Sequence, residues 1–162
     1  SGKTVALVAD AGTPGVSDPG VRLIQRLRAQ RQSATQTAGL GVRIDAVPGP
    51  SALTAALSIA GVTGNQFTFL GFVPHKKGRQ TFFAALANYH HPVIFFESTH
   101  RIRKTLEGLI NLPIDWKVYL GRELTKLHEE LLVGSPAELL AVLEAEPVKQ
   151  KGEFVLIVES LE

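Results

Sequence analysis

The sequence predicts an α/β fold, because short apolar segments alternate with segments of helical periodicity along most of its 162 residues. Several of the apolar segments are hydrophobic almost throughout, which is typical of strands in a sheet that is covered on both faces. Hydrophobic residues make up 44% of the chain and charged residues 20%, so extensive disorder is excluded. The chain has no cysteine, which excludes disulfides, thiolate zinc sites and cysteine nucleophiles.

The first part of the chain, residues 1–62, is predicted to form part of one α/β lobe. Apolar runs and helical spacing predict a strand, a helix, a second strand and a second helix at residues 4–9, 21–30, 42–47 and 52–61. Ser51 is a suitable N-cap for the second helix, and Gly61 is a suitable residue to end it. Residues 31–41 are rich in Gln, Ser, Thr, Ala and Gly, which predicts a flexible insertion.

The second part, residues 63–162, is predicted to form another α/β lobe. Strands are predicted at residues 66–74, 92–98, 116–124 and 153–160, and helices at residues 81–90, 99–110 and 135–147. Ser135 and Glu138 form the Ser-x-x-Glu pattern of a capping box, which marks the start of the last helix. The basic stretch HKKGRQ predicts a turn between the first strand and the first helix of this lobe.

Two loops rich in glycine and proline follow the predicted strands of the first lobe. Ligands of open α/β folds bind at the carboxyl edge of the sheet, where such loops lie. In DAGTPG the glycines allow close backbone approach, while Thr13 offers a hydroxyl and Asp10 an acceptor for a ribose or an ammonium group. PGPSAL forces an abrupt turn before a helix N-terminus, whose free N–H groups suit a carboxylate. Neither loop matches a Walker or GxGxxG motif, and tight turns without a ligand explain both loops equally well.

Three polar stretches of the second lobe carry candidate chemistry. In FFESTHRIRK, Glu97 and His100 lie at a strand-to-helix junction and are candidates for proton transfer, although a helix cap at Ser98 or Thr99 is an alternative. PHKKGR is either a clamp for a phosphate backbone or a solvated turn. GRELTKLHEE predicts a face of surface ion pairs. The spacing of His, Asp and Glu predicts no metal site, and the net charge of +2 permits nucleic-acid binding without predicting it.

Six stretches of the chain resemble, in order, the motifs of the tetrapyrrole methylase superfamily of S-adenosylmethionine-dependent (class III) methyltransferases. They are VADAGTPGVSDPG, VPGPSALTAALSIAG, FLGFVPHKKGRQ, FFESTHR, GRELTKLHEE and KGEFVLIVE. Within the superfamily, the match is to the branch that methylates the ribose 2′-hydroxyl of a cytidine in 16S ribosomal RNA. The resemblance therefore implies a two-lobed fold of this class, with an incomplete first lobe and S-adenosylmethionine as the cofactor.

The resemblance also implies roles for particular residues. Cofactor contacts are expected from Asp10, Ala11, Gly12, Thr13, Pro14, Pro50, Ser51 and Ala52 of the first lobe, and from Phe96, Leu124 and Glu153 of the second. A ribose 2′-hydroxyl is a poor nucleophile, so a base is needed, and the candidates are Glu97, His100 and Asp10. The expected contacts with RNA phosphates are Lys76, Lys77, Arg79 and Arg101. The family works as a homodimer, and we expect a cytoplasmic protein whose partner is the small ribosomal subunit and not a membrane.

Two alternatives remain open on the sequence. A tetrapyrrole (precorrin or uroporphyrinogen) methyltransferase has the same fold, and a non-catalytic RNA- or ligand-binding module would use the same basic turn. In longer relatives a strand and a glycine-rich loop precede DAGTP, so the resemblance implies that this chain is a fragment. We then expect the strand at residues 4–9 to lack a neighbour, and the chain alone to bind S-adenosylmethionine weakly and to methylate no RNA.

Overall fold

The computed structural model describes residues 3–33 and 42–161, which form two compact units, Ser1–Ser51 and Ala52–Glu162. The sequence places the division eleven residues later, after residue 62. The difference arises from the helix α2 (Ala52–Ala60), which belongs to the second unit because its Ala56 is buried in one cluster with Ile94 and Ile157. The identification of the two units with the two lobes of the family stays a prediction.

The first unit contains one helix among its described residues, α1 (Val21–Ser33). This helix confirms the predicted one and continues through residues 31–33, which the sequence assigns to the insertion; residues 34–41 lie outside the described part of the chain. The strands predicted at residues 4–9 and 42–47 are wrong, because no backbone hydrogen bond joins either segment to another described segment. A strand is stabilised by a paired neighbour, and without one the apolar side chains stay exposed, as at Val5 and Val47.

The second unit is built around a mixed sheet of five strands in the order β1-β2-β5-β3-β4. The strands are β1 (Thr68–Phe72), β2 (Val93–Ser98), β3 (Trp116–Arg122), β4 (Glu130–Gly134) and β5 (Glu153–Ser160). β1 and β2 are parallel, and the other neighbouring pairs are antiparallel. Four of these strands confirm the predicted ones, whereas β4 has no counterpart among them.

Helices pack on both faces of this sheet, as predicted. Besides α2 they are α3 (Arg79–Leu86), α4 (Ile102–Ile110) and α5 (Pro136–Ala145), and a 3₁₀ turn follows at Pro147–Gln150. The helices α3, α4 and α5 share one hydrophobic cluster with the sheet, and α2 shares a second cluster on the other face. The predicted capping box is present at the start of α5, where Ser135 and Glu138 exchange hydrogen bonds. None of the helices in residues 3–33 and 42–161 combines the length and the apolar character that a membrane span requires.

Successive side chains of β2 point to alternate faces of the sheet, and this alternation sets the direction of Glu97. Val93 and Phe95 belong to the cluster under α3, α4 and α5, while Ile94 belongs to the cluster under α2. Because successive side chains of a strand point to opposite faces, Glu97 lies on the same side as Phe95. Its carboxylate is therefore directed into a covered face, and the residue is only 1% exposed.

Candidate functional site

The buried carboxylate of Glu97 is the centre of a hydrogen-bond network at the end of β2. Its Oε1 accepts the N–H of Ser98 at 2.6 Å and forms an ion pair with Arg101 Nη2 at 2.8 Å. Its Oε2 accepts the hydroxyl of Thr105 at 2.7 Å and lies 3.5 Å from Arg79 Nη1. A buried carboxylate without such partners is strongly unfavourable, so these four contacts keep the charge in the core. They also occupy both carboxylate oxygens, which does not suit a base that must accept a proton from a substrate.

Arg79 and Arg101, two of the predicted RNA contacts, point inward. Both pair with Glu97, and Arg101 Nη1 also donates to the carbonyl of Val73 at 2.8 Å. The Arg79 guanidinium lies 5.1 Å from the centre of the Phe83 ring, within the range of a cation–π contact. Their side chains are only 18% and 13% exposed. The two arginines thus use most of their hydrogen-bonding capacity inside the fold.

Lys76 and Lys77, the other two predicted RNA contacts, lie in the exposed turn that precedes α3. Gly78 follows them with a φ of 88°, in the left-handed region that favours glycine. Among the described residues, neither ammonium group has an ion-pair or hydrogen-bond partner. A cleft of about 490 Å³ opens beside this turn and is also lined by Lys104 of α4.

His100, a candidate base, is exposed at the junction between β2 and α4. The residue before it is held in place, because Thr99 Oγ1 donates to the carbonyl of Gly152 at 2.7 Å and accepts the N–H of Gly152 at 2.9 Å. The imidazole itself has no hydrogen-bond partner within the described chain. It is therefore accessible for proton transfer on a backbone that is fixed on its N-terminal side.

Glu123 joins the stretches GRELTKLHEE and KGEFVLIVE. Its Oε1 accepts the N–H of Glu153 at 2.8 Å, and its own N–H donates to the Glu153 carbonyl at 2.9 Å. Lys126 Nζ lies 3.2 Å from Glu123 Oε1 and 2.8 Å from Glu153 Oε2. Gly152 has a φ of 115°, and a Cβ at that position would lie 2.6 Å from Glu123 Cγ, so this close approach requires glycine. The contacts confirm the predicted surface ion pairs and fix the backbone of Glu153, a predicted cofactor contact.

The charged forms of Glu123, Glu153 and Lys126 stabilise one another. The hydrogen bond from the Glu153 N–H lowers the pKa of the Glu123 carboxyl, partial burial opposes this effect, and Lys126 lowers the pKa further. The Glu153 carboxylate raises the pKa of Lys126, again against partial burial, and Glu123 raises it further. Lys126 is therefore a partner of two carboxylates and not a free cation for RNA.

Two other predicted cofactor contacts of the second unit lie on the face of the sheet that α2 covers. Leu124 is buried there, and a Cβ at Gly121 would lie 2.8 Å from its Cδ1, so the glycine makes room for the leucine. Phe96 is half-buried on the same face, with the rings of Phe69 and Phe72 edge-on at 4.9 Å and 5.4 Å. This is the face opposite to the Glu97 network.

In the first unit, one hydrogen bond joins the two predicted cofactor loops. Thr13 Oγ1 donates to the carbonyl of Pro50 at 3.1 Å, so the two loops are in contact, and the crevice that they are expected to share stays a prediction. Gly12 has a φ of 71°, and the position of a Cβ there is open space, so a ligand can approach the backbone closely. The remaining predicted cofactor residues of this unit are exposed (Asp10, Ala11) or half-buried (Pro14, Ser51). Ala52, the first residue of α2 in the second unit, is also half-buried.

Two residues on the face of the sheet where Glu97 is buried were not predicted as site residues from the sequence. Thr105 both donates to Glu97 and accepts from Arg79, so it links the two charges. Lys104 adds a third lysine to the cleft beside the basic turn. Both lie three or four residues after Arg101 on α4, and this helical spacing is the signal that could have placed them.

The sequence is similar to known proteins along nearly all of its length. The model of the family Tetrapyrrole (Corrin/Porphyrin) Methylases matches residues 1–140. A ribosomal RNA small subunit methyltransferase I of Thermotoga maritima is 37% identical over 99% of this chain and 67% of the relative. Proteins of the same name from Xylella fastidiosa and Escherichia coli O157:H7 are 42% and 39% identical over 98% of this chain, but over 55% and 52% of the relatives. The chain thus spans about half to two thirds of the length of these relatives.

Two solved structures resemble the chain in fold. The cobalt precorrin-4 methyltransferase CbiF gives a TM-score of 0.60 with 18% identity, over 90% of this chain and 60% of that one. The methyltransferase CobJ gives a TM-score of 0.61 with 21% identity, over 93% of this chain and 62% of that one. At these identities the likeness concerns the fold alone, and it confirms the predicted fold class. With the family match over residues 1–140, these findings show that the chain belongs to the tetrapyrrole (corrin/porphyrin) methylase family.

Proposed function

We propose that this chain is part of an S-adenosylmethionine-dependent methyltransferase that modifies the ribose 2′-hydroxyl of a cytidine in 16S rRNA of the small ribosomal subunit. The observation that carries this proposal is the extent of the similarity. Proteins named ribosomal RNA small subunit methyltransferase I are 37% to 42% identical over 96% to 99% of this chain. The homodimer and the cytoplasmic location expected from the family stay predictions.

The first unit has features that suit the cofactor. The hydrogen bond between Thr13 and Pro50 holds the two predicted cofactor loops together, and the open space above Gly12 leaves its backbone free for contact. S-adenosylmethionine, when bound, supplies a methyl group that its sulfonium already activates. The chain then has to hold the acceptor hydroxyl in line with that methyl group and to exclude water.

Of the three candidate bases, His100 has the contacts that fit the role best. The Glu97 carboxylate is engaged by four partners in the core, so we assign it to positioning. The imidazole of His100 is exposed, and an imidazole nitrogen can act as a general base. Asp10, exposed in the first unit, is the second candidate. For RNA phosphates, the exposed Lys76 and Lys77 are better placed than the paired Arg79 and Arg101.

The experiment that tests this function uses a chimera, because the relatives are longer than this chain. In the Thermotoga maritima protein, the 161 matched residues are replaced by the corresponding residues of this chain. Radioactive methyl transfer to unmodified small ribosomal subunits is measured, with the whole Thermotoga protein as the positive control. The expected product is a single cytidine whose 3′ phosphodiester resists alkaline hydrolysis, as a 2′-O-methyl group requires.

Two further measurements separate the alternatives. Methyl transfer to uroporphyrinogen by the chimera, without transfer to ribosomal subunits, would assign the chain to the tetrapyrrole-modifying enzymes. A chimera that is folded and binds S-adenosylmethionine but methylates neither substrate would contradict the proposal and favour a binding module.

A further inference from the structure

The cleft beside the basic turn is lined by cations and contains no carboxylate. Lys76 and Lys77 reach it from the turn, and Lys104 reaches it from α4, while no acidic residue is among those that line it. All three lysines are exposed. Among the described residues, none of their ammonium groups has an ion-pair or hydrogen-bond partner. The cleft therefore concentrates positive charge that the fold itself does not neutralise.

Other lysines of the same unit are neutralised by carboxylates. Lys149 Nζ lies 2.7 Å from Glu130 Oε1 and 3.2 Å from Glu146 Oε1, and Lys126 pairs with two carboxylates, those of Glu123 and Glu153. The Glu130 carboxylate raises the pKa of Lys149, with Glu146 adding to the effect against a small cost of desolvation. The three cleft lysines differ from these because only solvent or a ligand is available to them.

The floor of the cleft is fixed before any ligand arrives. The ring of Phe83 packs so closely on α4 that a Cβ at Gly108 would lie 2.7 Å from it. Arg79 lies over the same ring and is held by Glu97 and Thr105. The arginine is therefore part of the wall, and the cations free to contact a ligand are the lysines.

We propose that this cleft binds a phosphodiester group of the RNA backbone, with Lys104 as a contact beside Lys76 and Lys77. The proposal deepens the function proposed above and rests on its RNA substrate. Lysine ammonium groups are point charges that suit a phosphate oxygen. The one aromatic side chain of the lining, Phe83, is only 7% exposed, so no ring is available for a base to stack on. The lysines thus recognise the charge of the backbone and not the identity of a base.

The test measures binding of a short fluorescent single-stranded RNA to the 162-residue chain by anisotropy, without cofactor, between about 50 mM and 200 mM salt. Removing one phosphate contact lowers the slope of log affinity against log salt by about 0.7 for a single strand. We expect Lys104→Gln to lower the slope by this amount and to weaken binding about threefold to tenfold. Lys76→Gln should do the same, and Lys117→Gln is the control, because Lys117 is an exposed lysine of β3 that lies over the Tyr119 ring and does not line the cleft.

The outcomes separate this proposal from the proposed function. A Lys104→Gln variant with unchanged affinity and slope would overturn the cleft as a binding site, whatever the chimera methylates. An equal loss in Lys117→Gln would overturn it too, because the attraction would then belong to the whole surface. RNA binding that depends on Lys104, together with a chimera that methylates no rRNA, would keep the site and reject the function. Thermal unfolding of each variant should match the parent chain, since all three substituted lysines are exposed.

Discussion

The carboxylate of Glu97 and the guanidinium of Arg101 lie 2.8 Å apart, and through them β2 and α4 are tied to the end of β1. Arg101 reaches that end by donating to the carbonyl of Val73, while Glu97 accepts the hydroxyl of Thr105 on α4. Arg79 adds the start of α3 to the same group. One buried anion therefore fixes the positions from which the basic turn and the exposed His100 are presented.

Replacing this anion should destabilise the second unit. Glu97→Gln leaves two partly buried guanidinium groups without their buried counter-charge, and we expect the free energy of unfolding to fall by about 3 kcal/mol. Urea denaturation followed by circular dichroism measures the loss. The matched control is Glu144→Gln, which removes a carboxylate that pairs with Arg103 while both side chains are about half exposed. For that variant we expect less than about 1 kcal/mol, and equal losses in the two variants would contradict a special role for the buried pair.

The proposed base makes a prediction about pH. If the neutral imidazole of His100 accepts the proton of the ribose hydroxyl, turnover by the chimera should fall in acid, because a protonated imidazole accepts no further proton. His100→Gln should lower kcat and remove this acid limb of the pH–rate profile, with little change in cofactor affinity. His90→Gln, which alters another exposed histidine, serves as the control. An acid limb that persists in His100→Gln and disappears in Asp10→Asn would transfer the role to Asp10.

The role of the DAGTPG loop in cofactor binding can be tested by comparing substitutions at Gly12 and Gly64, two glycines with a positive φ. Gly12 and Gly64 both have a left-handed φ, of 71° and 104°, and a Cβ at either position would meet no atom within 4 Å. Substitution by valine therefore strains both positions in a similar way, at roughly 1–2 kcal/mol each. We expect Gly12→Val alone to abolish binding of S-adenosylmethionine in titration calorimetry of the chimera, because the new side chain fills the space that the cofactor needs. Equal affinities of the two variants would remove this loop from the site.

The lowered pKa of the Glu123 carboxyl predicts how the free energy of unfolding depends on pH. Folding lowers the pKa of this carboxyl from its ordinary value of 4.5, so the charged form stabilises the fold. The contribution is complete above pH 4.5 and is lost as the pH falls through the lower folded-state value. Glu123→Gln should therefore reduce the free energy of unfolding near neutral pH, and the difference from the parent chain should shrink below pH 4.5. Denaturation over this range tests it, with Glu107→Gln on α4 as a matched exchange; a difference that does not depend on pH would contradict an electrostatic origin of the stabilisation.

The sequence predicted most elements of the second unit, because apolar residues recur along each strand or helix at the spacing that brings them to its buried face. Alternating apolar residues in β5 point to the two clusters in turn, and α4 buries Ile102, Leu106 and Leu109 at helical spacing. The failures have physical causes. β4 is short and begins within a run of charges, and the segments at residues 4–9 and 42–47 have strand-like composition without a paired neighbour.

The position of Glu97 at the end of a strand was predictable, but its pairing was not. The sequence placed Glu97 and His100 at a strand-to-helix junction, yet the direction of Glu97 depends on which face of β2 the helices cover. Likewise, the family resemblance implied four cations as RNA contacts without distinguishing the two arginines that turn inward from the lysines that stay in solvent. That distinction comes from tertiary contacts with Val73 and Thr105, which no local pattern encodes.

The position of β5 between β2 and β3 has a consequence for the order of events during synthesis. Val158 of β5 pairs with Val93 of β2 and with Val118 of β3, so the two halves of the sheet are joined only by a strand that the ribosome makes after both. Until residues 153–160 have left the exit tunnel, β2 and β3 each have one edge without its partner, and those edges are rich in apolar residues. The nascent unit therefore passes through a period in which it is prone to pair with other chains, and the completion of β5 ends that period.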